Sequence, residues 1–81
     1  MKLYVKNTNA KMETFEIPET TTIFDLKEMY VQRLGTGERA EDIYLTLSGK
    51  ILRNDFTIEE YAMENESILY CVYRVIPEVK K

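Results

Sequence analysis

The chain has no histidine and no tryptophan, and only one cysteine, three glycines and two prolines among its 81 residues. Without histidine it lacks the side chain that most often shuttles protons or binds transition metals near neutral pH. The lone Cys71 permits no internal disulfide and predicts a reducing compartment. Its place between Tyr70 and Val72, in an apolar run, marks it as a small core residue on a strand rather than a reactive thiol. The scattered glycines leave no phosphate-cradling loop, and no cluster has metal-ligand spacing. Glu59, Glu60, Glu64 and Glu66 crowd one region, but they read as a solvated acidic edge and not as an acid/base pair. The inventory therefore predicts a protein that is not an enzyme and uses no cofactor or metal.

Long apolar runs are missing too. No charged n-region or cleavage site precedes the first strand pattern, so a cytoplasmic or nuclear protein is expected. Eleven basic residues against fourteen acidic give a net charge of -3. That balance, with no basic stripe interleaved with aromatics, argues against a nucleic-acid or membrane partner. What remains, at 44% hydrophobic and 31% charged, is the composition of one small soluble domain, expected to be a monomer.

Met1, Leu3 and Val5 alternate with Lys2, Tyr4 and Lys6, the period of a strand with one buried face. Asn7-Thr8-Asn9-Ala10 is a turn, and a second strand is predicted over Met12 to Ile17. There the phase of Phe15 and Ile17 turns Glu13 inward, which predicts a bulge or a frayed start. Thr22 is placed to cap a helix from Ile23, with Asp25 in its positive first turn. Ile23, Leu26, Tyr30 and Leu34 form its apolar stripe, and Gly35 and Gly37 are stop signals. Glu38 to Asp42 reads as a charged loop. Ile43 to Leu47 alternates as a strand, Ser48-Gly49 turns into a short strand at Lys50-Ile51-Leu52, and Arg53-Asn54-Asp55 is a loop. Thr57-Ile58-Glu59-Glu60 has the form of a capping box and predicts a single helical turn. Ser67 to Arg74 is the last strand, burying Leu69 and Cys71.

This order of elements resembles the β-grasp fold of the ubiquitin-like proteins. The resemblance extends to residues: Met1, Val5-Lys6, Lys11, Glu16, Thr22-Ile23, Lys27, Gly35, Leu45, Gly49-Lys50, Leu52, Thr57, Tyr61, Glu66-Ser67, Leu69, Val72 and Arg74. It implies an α+β domain over residues 1–74, a mixed sheet of four to five strands packed on one helix plus a short helical turn. The first and last strands would pair in parallel at the centre. Tyr61 would tie down the loop near Arg53 to Asp55. The cysteine count sets the chain apart from the iron-sulfur β-grasp proteins.

The resemblance also implies a docking surface on the solvent face of the sheet, at Lys6, Thr8, Tyr44, Thr46, Lys50, Tyr70, Val72 and Arg74. Threonines at positions 8 and 46 replace aliphatic side chains, so ordinary ubiquitin receptors are expected to bind weakly. Tyr44 and Tyr70, with Tyr4 and Tyr73 near the edges, suggest a different protein partner, with ubiquitin-pathway or proteasome components as candidates. Lys6, Lys11, Lys27 and Lys50 coincide with family lysines that accept chain linkages, a weak signal on surface lysines. Residues 75–81 form a tail without the Gly-Gly through which such proteins are conjugated. The expected function is a non-conjugated interaction module. The alternatives are a modifier with atypical attachment and a structural adaptor subunit of the elongin type.

Overall fold

The computed structural model describes residues 1–35 and 39–73. Gly37, Arg74 and the tail at 75–81 lie outside the described residues. Leu3 and Val5 are wholly buried while Lys2, Tyr4 and Lys6 are half-buried, so the alternation of strand β1 (Lys2–Lys6) sorts its side chains between core and solvent face. The Asn7 side-chain oxygen accepts from the amides of Asn9 (2.9 Å) and Lys11 (3.0 Å), turning the chain into antiparallel strand β2 (Met12–Glu16). Ala10 closes this turn at φ 65°, in the left-handed region.

Helix α1 (Ile23–Leu34) starts where the sequence places it. The Thr22 hydroxyl accepts from the Asp25 amide at 3.1 Å, and Gly35 ends the helix at φ 67° with its amide bonded to the Val31 carbonyl. The first-turn amides of Ile23 and Phe24 donate to the carbonyls of Phe56 and Asn54, so the loop before residue 57 caps the helix that precedes it. Ala40–Asp42 forms a short 3₁₀ turn within the segment expected to be a plain loop. Strand β3 (Ile43–Leu47) and strand β4 (Lys50–Ile51) follow, joined through Ser48 (φ 54°) and Gly49 (φ 80°), and β5 (Ser67–Tyr73) ends the described chain. Two consecutive positive φ values suit the right-handed twist of a tight hairpin.

The sheet order is β2-β1-β5-β3-β4, with β1 and β5 parallel and the other pairs antiparallel. This is the mixed sheet on one helix expected from the sequence. The core between sheet and helix gathers Leu3, Val5, Phe15, Ile17, Ile23, Leu26, Tyr30, Ile43, Leu45, Leu52, Ile58, Leu69 and Cys71, with Met1 packed on its margin. Val31 and Met63 join them. Thr57 and Glu60 make the reciprocal capping box, at 2.8 and 3.1 Å, but the chain continues as hydrogen-bonded turns, not a helix. The Tyr61 hydroxyl accepts from the Arg53 amide at 2.7 Å, the tie expected of it.

Three local expectations are corrected. The β1–β2 register is unbroken through Val5↔Glu13, so there is no bulge, and Glu13 keeps its inward phase at the helix margin beside Arg33 at 3.9 Å. Tyr73 pairs with the buried Ile43 and shares the phase of Leu69 and Cys71. It therefore belongs to the helix side of the sheet and not to the solvent face. Lys27 is no surface lysine: it is 3% exposed, because the loop at 53–55 folds over the face of α1 that a helical projection leaves polar.

Candidate partner-binding face

Strand register builds the solvent face row by row. Lys6 stands beside Tyr70, Tyr70 beside Thr46, and Thr46 beside Ile51, with Met12 next to Lys6 at the other edge. Flanking rows place Tyr4 beside Ile68 and Tyr44 beside Val72. On this face Ile51 is 56% exposed, Tyr70 46%, Ile68 41% and Val72 37%. Four large apolar side chains left this open on one sheet face make it the candidate contact surface of the domain. The Thr46 hydroxyl donates to the Tyr70 carbonyl at 3.4 Å.

Of the residues expected at the site, Lys6, Tyr44, Thr46, Tyr70 and Val72 stand together on the face. Thr8 is exposed on the β1–β2 turn. Lys50 is exposed but pairs with Leu47, so it occupies the rim in the opposite phase to Ile51. Arg74 lies outside the described residues. Ile51, Ile68 and Met12 were missing from the expected set. The signals existed: period-two alternation puts Ile68 with Tyr70 and Val72, and a two-residue turn at Ser48-Gly49 sets Ile51 opposite Thr46. Ile51 and Ile68 restore apolar area that the threonines at 8 and 46 remove.

Beside Tyr44 the face opens into a cleft of about 360 Å³, lined by Lys27, Tyr44, Ile51, Leu52, Arg53, Asn54 and Asp55. The Lys27 ammonium donates to Asn54 Oδ1 at 2.6 Å and lies 5.7 Å from the centre of the Tyr44 ring. Burial pushes its pKa below the ordinary lysine value, against a smaller opposing pull from Cys71. Among the described residues no group of three or more His, Cys, Asp or Glu side chains could hold a metal ion, and no helix is long and apolar enough to cross a membrane.

The sequence profile of the Ubiquitin family matches residues 3–76. The chain is also 30% identical over 74 residues to the E3 ubiquitin-protein ligase parkin of Rattus norvegicus. That alignment covers 91% of this chain and 16% of the relative, so the chain spans a small part of the protein it matches. The open apolar face on a β-grasp sheet is a surface suited to contact with another protein. The family profile spans nearly all of that architecture, and on it the chain belongs to the ubiquitin family.

Proposed function

We propose that this domain is a non-conjugated ubiquitin-like module that docks a protein partner on the solvent face of its sheet. The observation that carries the reading is the exposure of Ile68, Tyr70 and Val72 along β5, with Ile51 exposed on the same face beyond β3. Tyr70 stands between Lys6 and Thr46 and presents a rigid ring with a hydroxyl, the type of anchor that concentrates binding energy at an interface. Lys6 on the face and Lys50 at its rim would add positive charge beside the patch, favouring partners with acidic contact surfaces. The matched relative is by name an E3 ubiquitin-protein ligase, which supports partners in the ubiquitin pathway.

The non-conjugated part of the proposal is supported by the matched relative, of whose length the aligned domain is only 16%. Transfer by an activating enzyme requires a terminal glycine slim enough to thread a narrow site. The decisive experiment is a pull-down from cell extract with wild type against Tyr70→Ala/Val72→Ala. A partner retained by wild type and lost by the double variant supports the face. Equal retention rejects it. Incubation with an activating enzyme and ATP should give no thioester, and a thioester would reject the non-conjugated reading.

A further inference from the structure

We infer that the cleft beside Tyr44 receives a carboxylate from the partner docked on the adjoining sheet face. An ammonium carries three N–H donors, and that of Lys27 has one hydrogen bond among the described residues, to the neutral oxygen of Asn54. No carboxylate pairs with it among the described residues. At 3% exposure this cation has given up most of its water without gaining a counter-charge. Such a site is short of one negative group.

The walls define that group. Lys27 and Asn54 both line the cleft, and the contact between them uses only the Oδ1 of the Asn54 amide, not its Nδ2 donors. Lys27 and Asn54 thus offer neighbouring donors of the kind that suits a forked, planar acceptor. Arg53 and Asp55, both lining the cleft, lie 3.4 Å apart and offset one another. The local balance is one net positive charge, which matches a carboxylate, while Asp55 would repel a phosphate dianion. Tyr44 and Ile51 line the cleft and also belong to the docking face. A chain lying on that face therefore passes the cleft mouth, and an Asp, Glu or C-terminal carboxylate can enter from it.

The inference rests on the docking reading above, and the experiment separates the two. The 81-residue chain, labelled with ¹⁵N and ¹³C, is titrated with sodium acetate against sodium chloride at matched ionic strength. Saturable shifts are expected at the Lys27 side chain, the Asn54 Nδ2 amide and the Tyr44 ring. Asn54→Asp supplies an internal carboxylate to Lys27 and avoids a variant that loses the lysine. It should weaken acetate binding by roughly tenfold or more, equivalent to about 1.4 kcal/mol, and should weaken capture of the partner. Tyr70→Ala/Val72→Ala should lose the partner yet keep the acetate response. Acetate shifts no larger than those of chloride, or undiminished in Asn54→Asp, would overturn the carboxylate site whatever the fate of the docking face. Partner capture unaffected by Asn54→Asp would overturn the partner as its source.

Discussion

The guanidinium carbon of Arg33 lies 4.3 Å from the centre of the Phe15 ring, so the last turn of α1 is strapped onto strand β2. The same guanidinium donates to the Thr14 carbonyl at 2.5 Å. That carbonyl belongs to the edge strand, where unpaired backbone groups invite pairing by other chains. Arg33→Ala should cost about 1–2 kcal/mol, combining the ring contact and one hydrogen bond. Arg33→Lys should recover part of it, since an ammonium cannot stack and donate in the same planar way. Urea unfolding of the three proteins measures both.

Tyr30 is wholly buried, and its hydroxyl makes no hydrogen bond of ordinary geometry among the described residues. Burial, reinforced by Cys71 and Tyr73, pushes its pKa far above the usual 10.0. The folded protein therefore keeps a proton that the unfolded chain sheds above pH 10, and stability should fall with pH from there upward. Lys27 works in the opposite sense. Its lowered value means that the native state releases a proton first, so its contribution rises with pH toward 10.5. Tyr30→Phe should match or exceed wild type by up to about 2 kcal/mol at neutral pH, because it removes a desolvated hydroxyl. Its stability should also decline less than that of wild type above pH 10. Thermal unfolding from pH 7 to 11 tests the slope, and an unchanged slope would reject the assignment.

The burial of Lys27 separates its stem from its charge. Lys27→Met keeps most of the packed length and removes a cation with a neutral partner, and should change stability by less than about 1 kcal/mol. Lys27→Ala should cost about 2–4 kcal/mol through the void it leaves under the 53–55 loop. Guanidinium unfolding of the pair distinguishes a packing role from a charge role.

Ala10 holds a left-handed backbone that costs a residue with a Cβ roughly 1 kcal/mol or more. Ala10→Gly relieves it but loosens the unfolded chain, and the expected net gain is about 0.5 kcal/mol. Heat denaturation should show a small rise in Tm, with the Asn7 turn bonds intact by amide exchange.

The elements that local chemistry decides could be read directly. A hydroxyl at Thr22, a glycine at Gly35 and the alternation of β1 each act within a turn or a strand pair. Tyr73 was also readable, since counting by two from Leu69 and Cys71 carries it inward; placing it on the solvent face let residue type override phase. Lys27 was not. Its helical position looks solvent-facing until a loop about 27 residues later in the chain covers it, and periodicity within one helix carries no information about that cover. The same holds for the cleft, whose walls come from α1, β3 and the 51–55 segment. The face itself was half legible: strand phase gives its columns, while its rows depend on the pairing of strands distant in sequence.

The parallel pairing of β1 with β5 gives the domain an order of assembly. The first strand lies between β2 and the last strand. On a ribosome β1, β2 and α1 would emerge early, yet one edge of β1 would stay unpaired until residues 67–73 arrive. Contacts that close the longest loop are entropically the most demanding and so the latest to form. Nearly the whole chain must therefore be present before the sheet can close. Docking must wait too, because Tyr70 and Val72 travel on that final strand.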